Sequence, residues 1–595
     1  MKNYFWVCLL LLIISVCAEA QVPQWAEGAV WYQILPERFR NTVTSDDPLK
    51  ESVIGKNDHD WQIQPWAADW YKPQVWEKND DESFAQRVAS RRYGGDLYGV
   101  YEKLLYLKNL GVSVIYLMPI FESPSVLKYD AVTFHHVDNN FGLGRDEDVK
   151  KIQAEKEDPK TWTATKGDEM FFELIKAVHK LDMKIVLEGV FNYCNREFWA
   201  FKDLTEKQEA SIYKDWFEVE QWDDPLTPDT LEFNYKVWQG NRDWPVFKTD
   251  ENGLVEPVKK YFFAATKRWM DPDGDGDPAD GIDGWCVRYG EQLGRTVMNE
   301  WIDSVKAVNP NALVVEDVPA LQTADGAGKK FDVSLNNAFM PVVYDFFIRE
   351  QKRLSVSEFD RRLKELRDQH ADSVDYSEIN PVDDMEHCRI ASAIKNPEYV
   401  QFGQADGDLK RPYDPDKPTA DEYQIQKLIA FFQLTYPGSP LILYGDESGM
   451  WGCGNPDILK PMLWEEFVYE DETYSYVYPQ DKNVSANVFN PDVFSVYQKL
   501  DQLRLKNPAL RKGSFESLVV DDQKNIYGFR RKYEKNEVVV FLNNSSEKQT
   551  VEFLPDWPEG TKVKNPLTRK KYRFKGKALS LELGKKWGAI LVKSK

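Results

Sequence analysis

Apolar residues in this chain fall in short, nearly continuous runs. Between them lie longer stretches in which apolar positions recur at helical spacing. Residues 29–36 (AVWYQILP), 112–119 (VSVIYLMP) and 184–192 (KIVLEGVFN) show little polar alternation, the pattern of strands buried on both faces. Segments 284–289, 312–318, 339–345, 376–382 and 441–444 read the same way, and 101–110 and 171–181 read as helices. Eight such strands alternating with helices over roughly 470 residues predict a (β/α)8 TIM barrel, with functional residues at the C-terminal strand ends. Residues 130–166 carry charges and turn formers instead of a barrel repeat, and are expected to form an inserted, B-type loop domain near the third strand. From about 512 the pattern changes to short strands (526–532, 537–542, 550–553, 578–583) with no helix between them, which predicts a C-terminal antiparallel β-sandwich. The expected division is a leader over 1–20, a barrel over 21–511 and the sandwich over 512–595.

The composition fits a large core: 42% of the 595 residues are hydrophobic, with 20 Trp, 29 Tyr and 32 Phe. Aromatic faces also suit sugar stacking. A net charge of −21 opposes nucleic acid and anionic membrane surfaces, but not a neutral polymer. Lys2, the apolar run 6–16 and Ala18-Glu19-Ala20 form a signal peptide with cleavage after Ala20. Export to the periplasm or beyond is expected. The run is too short to span a bilayer, which takes about twenty residues, and no transmembrane segment follows. Residues 14–17 (ISVC) offer lipid attachment at Cys17 as an alternative. Six cysteines, two of them in the leader, are too few and scattered for a disulfide framework. Cys194, Cys286 and Cys388 read as buried thiols, with a disulfide or soft metal site among them as the alternative.

The most informative stretch is Gly284-Trp285-Cys286-Val287-Arg288. Together with VWYQILPERFRN (30–41), YGDESGMWGCGNPDILKPMLW (444–464) and YQKLDQLRLKNPALRKGSF (497–515), it resembles glycoside hydrolase family 13, the α-amylase family, and most closely its neopullulanase- and cyclomaltodextrinase-like members. The resemblance implies a retaining α-glucosidic hydrolase scaffold that binds an α-glucan or maltooligosaccharide. That chemistry needs a carboxylate nucleophile, a carboxylic acid and a further carboxylate.

Carried over position by position, the resemblance places the nucleophile on Arg288, and the arginine that orients it on Cys286. The acid falls on Asp317, or on Glu316 if the strand slips by one residue. The third carboxylate falls on Glu386, in Asp384-Met385-Glu386 where the family has Asn-His-Asp. The third-strand motif becomes Glu188-Gly-Val-Phe-Asn192-Tyr193, with Asn192 kept. Tyr129-Asp130 matches a sugar-contacting Tyr-Asp pair, and Trp285 is counted with the sugar-binding set. The guanidinium at 288 is expected to pair with Glu188, Asp317 or Glu386, or to bind an anion.

Two other clusters carry candidate metal ligands. Asp271, Asp273, Asp275 and Asp277 pack carboxylates as a Ca²⁺ loop does, or as a solvated acidic turn does. His135, His136 and His387 lack a zinc spacing. The expected function is that of a secreted, catalytically impaired family-13-like protein that binds glucan or a protein partner. The alternatives are an active hydrolase with relocated carboxylates, and an assembly subunit without sugar contact.

Overall fold

The computed structural model describes residues 22–53, 60–77, 82–226, 232–317, 331–368, 376–400, 402 and 413–593. The leader expected over 1–20, with Cys17, lies outside the described residues. Eight parallel strands form one sheet: β1 Trp31–Ile34, β2 Val114–Leu117, β3 Lys184–Gly189, β4 Gly284–Arg288, β5 Leu313–Asp317, β6 Val333–Ser334, β7 Ile379–Pro381 and β8 Ser439–Leu443. Their order is β6-β5-β4-β3-β2-β1-β8-β7. A parallel bridge from Leu335 to Ile379 joins the two edges, so the sheet closes into a (β/α)8 barrel.

The strand pleat sorts side chains between two cores. Trp31, Val114, Tyr116, Val186, Cys286, Leu313, Val315, Val333, Leu335, Ile379 and Leu441 fill the barrel interior. Their sequence neighbours, such as Ile115, Leu187, Trp285 and Val314, pack outward against the helices. This two-sided burial is why the strands read as unbroken apolar runs.

One expectation is corrected. Residues 339–345 are not a strand: Phe339–Val343 is an α-helix that passes into a π-helical turn at Tyr344–Ile348. All ten of these residues except Pro341 are buried, and a helix buried on nearly every side gives the same apolar run as a buried strand. The sixth strand is the two-residue Val333–Ser334. Residues 130–166 contain the helix Arg145–Ala154. A second excursion, between β3 and the helix Glu256–Met270, carries three small antiparallel pairs formed by Val219–Gln221 with Asn234–Tyr235, Val237–Trp238 with Asn241–Pro245, and Thr249–Asp250 with Gly253–Leu254.

The C-terminal unit has strands β9 Ser514–Asp521, β10 Ile526–Tyr533, β11 Asn536–Asn543, β12 Gln549–Phe553, β13 Lys562–Lys564, β14 Lys571–Arg573, β15 Leu579–Leu583 and β16 Trp587–Lys593. An antiparallel sheet of order β9-β10-β11-β16-β13-β14 faces the pair β12-β15. Val539, Phe541 and Leu591 of the sheet meet Val551, Phe553, Leu581 and Leu583 of the pair, which makes a sandwich. Cys388 and Cys453 form a disulfide that ties the loop after β7 to the loop after β8, while Cys194 and Cys286 are free and buried. No helix among the described residues is long and apolar enough to cross a membrane.

Candidate functional site

The C-terminal ends of β3, β4 and β5 bring Glu188, Arg288 and Asp317 to one point. β4 and β5 run in register, with Arg288 opposite Asp317 and Cys286 opposite Val315; on its other side Cys286 pairs with Glu188 of β3. Alternate residues face inward, so Glu188, Arg288 and Asp317 share the barrel mouth. Glu316 falls on the opposite face from Asp317, because Leu313 and Val315 point into the barrel and Val314 points out. The same parity removes Trp285 from the sugar-facing set. Its indole is 1% exposed and packs edge-on against Phe191 and Trp301, outside the barrel.

Arg288 sits among carboxylates. Its Nη1 lies 3.5 Å from Asp317 Oδ2 and 3.8 Å from Glu188 Oε1, and its Nη2 contacts Glu386 Oε1. Its side chain is 13% exposed and that of Glu188 is fully buried, whereas Glu386 is 55% exposed. The guanidinium also lies 5.6 Å from the Tyr129 ring centre and 5.4 Å from that of Tyr289, within cation–π reach. Tyr289 takes a left-handed backbone (φ 58°), which turns the chain sharply at the end of β4.

The electrostatics follow from this crowding. Burial pushes the Glu188 carboxyl above its usual range, and Arg288 together with the hydroxyls of Tyr116 and Tyr129 only partly offsets it. Tyr116 donates to Glu188 Oε2 at 2.7 Å. Burial likewise raises Asp317, against Arg288 and the Asn337 amide, which donates to Asp317 Oδ1 at 3.3 Å. Burial opposes the charge on Arg288, yet Tyr129, Asp317 and Glu188 hold it protonated even more firmly than an ordinary arginine.

The remaining candidates ring the mouth. Asp130 is committed to the scaffold: it accepts from Ser123 at 2.9 Å, Asn195 at 2.7 Å and the Trp244 indole at 3.3 Å. Asn192 donates to the Tyr289 carbonyl at 3.1 Å. Tyr193 stacks on Trp238 (5.2 Å between centres, 15° between planes) and leans on Trp244, and Trp238 in turn meets Tyr289. Trp238, Trp244, Tyr289 and Asn337 were missed in the sequence. The turn Gln239-Gly240 between two tryptophans was the available signal.

The acidic loop enters β4 at its N-terminal end, opposite the mouth. Carboxylate oxygens of Asp271, Asp273 and Asp280 lie within 4.8 Å of one another, a hard-oxygen set that fits Ca²⁺. Asp275 and Asp277 are outside this group. Their Oδ1 atoms accept from the backbones of Asp277 (2.7 Å) and Ala279 (3.1 Å) and shape the turn instead.

Comparison with known proteins agrees with this architecture. The chain matches the family described as "Alpha amylase, catalytic domain" over residues 33–159 and 163–293. It is 31% identical over 530 residues to neopullulanase 2 of Thermoactinomyces vulgaris, covering 89% of this chain and 71% of that protein. It is 29% identical over 557 residues to a cyclomaltodextrinase of Thermoanaerobacter pseudethanolicus, covering 93% and 76%. Among solved structures, the cyclic α-maltosyl-(1→6)-maltose hydrolase of Arthrobacter globiformis superposes with a TM-score of 0.67 at 20% identity, over 96% of this chain and all of that one. The closed eight-stranded barrel, its C-terminal sandwich and these similarities make the chain a member of the α-amylase family.

Proposed function

We propose that this family member binds an α-glucan or maltooligosaccharide at the barrel mouth without cleaving glucosidic bonds. The supporting observation is the Arg288 guanidinium, held between Glu188, Asp317 and Glu386 at the end of β4, where the family resemblance calls for the attacking carboxylate. A protonated guanidinium forms no glycosyl ester. Beside a developing oxocarbenium, at about 4 Å and an effective dielectric near 20, it adds about 4 kcal/mol of repulsion, or about three powers of ten in rate. Tyr129, which the family resemblance assigns to sugar contact, is half-buried at the mouth, and the partly exposed Trp238 and Trp244 pack on the buried Tyr193 nearby, with Trp244 bonded to the adjacent Asp130.

Calorimetry with maltoheptaose tests the binding half of this reading. Saturable binding, weakened at least tenfold by Tyr129→Ala, is expected. No heat of binding would favour an assembly role with a protein partner instead.

One observation favours the alternative of a relocated hydrolase. Asp317 is a partly buried carboxyl whose pKa burial raises, as an acid catalyst requires. Turnover of any α-glucan that Asp317→Asn or Glu386→Gln abolishes would establish it.

Two further assignments complete the proposal. Residues 1–20 direct export, with either a free mature start at Gln21 or lipid attachment at Cys17. Asp271, Asp273 and Asp280 hold a structural Ca²⁺ where the loop enters β4.

A further inference from the structure

His135 and His136 lie on the loop after β2, where residues 134–136 bend. In an extended strand consecutive side chains point to opposite faces. The bend instead brings the two imidazole rings to 4.6 Å between centres. A third group joins them from Glu155, 19 residues on from His136. One nitrogen of each imidazole and one Glu155 oxygen lie within 4.8 Å of one another, and all three residues are buried. We propose that His135, His136 and Glu155 form a binding site for a borderline divalent metal ion, of which Zn²⁺ is the reference case.

Each ligand is held from behind. His136 Nδ1 lies 2.7 Å from Asp168 Oδ2, which leaves Nε2 facing Glu155 Oε2 at 3.0 Å. This carboxylate–imidazole arrangement orients metal-bound histidines. Asp168 is itself fixed: its oxygens accept from the backbone N–H of Val137 at 2.8 Å and of Thr165 at 3.0 Å, and from Arg268 at 2.8 Å. His135 Nδ1 is engaged at 2.8 Å by both the Thr133 and Tyr261 hydroxyls. His135 Nε2 has no hydrogen-bond partner among the described residues, although the residue is 0% exposed. This buried imidazole nitrogen is a donor that the protein's own hydrogen bonds leave available to a metal ion. Glu155 Oε1 accepts from the Thr163 backbone at 3.0 Å and from its hydroxyl at 2.7 Å, so the carboxylate is held in place.

Geometry and charge both fit. A tetrahedral ion with bonds of about 2.0–2.2 Å separates its ligand atoms by about 3.3 Å, so the His136–Glu155 pair needs to open by only a few tenths of an ångström. Two imidazoles and one carboxylate are an established zinc donor set. Glu155 and Asp168 bring two negative charges against the single positive charge of Arg268. The pocket therefore has charge to compensate, which a divalent cation or a proton bridging His136 and Glu155 supplies. Trp162 stacks on His135 at 4.1 Å and 6° and covers it from the excursion side.

An ion here would pin the 130–166 excursion to two barrel helices, through Asp168 on Lys166–Lys180 and Tyr261 on Glu256–Met270. Its role would be structural. It does not depend on the glucan reading.

The test is zinc titration of EDTA-stripped full-length protein against a chromophoric chelator, with X-ray absorption on the loaded protein. One site of submicromolar Kd is expected, with two imidazole nitrogens and a carboxylate oxygen around the metal. His135→Gln and Glu155→Gln should each weaken it at least a hundredfold. Asp168→Asn, which acts only through His136, should weaken it about 10–100-fold. Asp273→Asn, in the separate acidic loop, should leave it unchanged. Absence of a stoichiometric site in the wild type would overturn the proposal in favour of a bridging proton. So would undiminished affinity in His135→Gln, loss of affinity in Asp273→Asn, or an absorption spectrum without imidazole.

Discussion

Replacing Arg288 by methionine removes the charge at the barrel mouth while keeping much of the side-chain volume. In the wild type the guanidinium lies 3.5 Å from Asp317 and 3.8 Å from Glu188. At an effective dielectric near 20 each attraction is about 4–5 kcal/mol before desolvation is counted. Deleting one partner of such a buried cluster costs about 3–5 kcal/mol. The lower end, about 3 kcal/mol, applies here because the stranded carboxyls can take up protons. Glu386, being mostly exposed, adds little.

The pH dependence follows from the raised carboxyls. Glu188 and Asp317 already titrate above their usual range in the folded protein, and losing Arg288 raises them further. A carboxyl whose folded pKa exceeds its unfolded value stabilises fully below the unfolded value, near 4. That stability is lost as pH rises through the folded pKa. The variant should therefore fall behind the wild type progressively from about pH 4.5 toward neutrality. Urea unfolding of both proteins at pH 4.5 and pH 7.5 measures the gap. A deficit of about 3 kcal/mol at pH 7.5 that at least halves at pH 4.5 is expected. A variant as stable as the wild type at pH 7.5, or a gap that does not change with pH, would refute the ion-cluster account.

Three other outcomes follow. Arg288→Asp alone should yield no α-glucan turnover in a reducing-sugar assay, because Cys286, Tyr193 and Met385 still differ from the family pattern. Trp285→Ala should destabilise by about 3–5 kcal/mol through loss of a buried indole, yet leave calorimetric affinity for maltoheptaose within twofold. Cys388→Ser opens a disulfide that spans a sequence separation of 65; the loop-entropy relation gives a loss of about 4 kcal/mol, read as the difference in urea midpoint between oxidised wild type and variant.

Much of the barrel was legible because its strands are buried on both faces. Runs such as 29–36 and 112–119 hold nothing a solvent-facing strand would need. The sixth strand was not legible: two residues, Val333–Ser334, carry no period, and the more apolar helix beginning at Phe339 drew the assignment. At the site, position along the strand was readable but facing direction was harder. Asp317 and Arg288 face the barrel mouth together, whereas Trp285, one residue from Cys286, falls on the other side of the pleat. The Tyr193–Trp238–Trp244 cluster was hidden because its strands are short pairs in an excursion. The Cys388–Cys453 link was hidden because pairing depends on how the loops after β7 and β8 meet, not on spacing. The His135–His136–Glu155 group was hidden in the same way, since Glu155 reaches the histidines only through the folded path of the loop.

The central claim is that a cation occupies the position from which the anomeric carbon would be attacked. The most direct measurement is release of nitrophenol from an activated maltoside by the purified wild-type protein, since a good leaving group removes the need for an acid catalyst and leaves only the nucleophile in question. The account predicts no release above the buffer blank over hours at micromolar protein. Steady turnover that survives further purification and follows the protein through every column would contradict it.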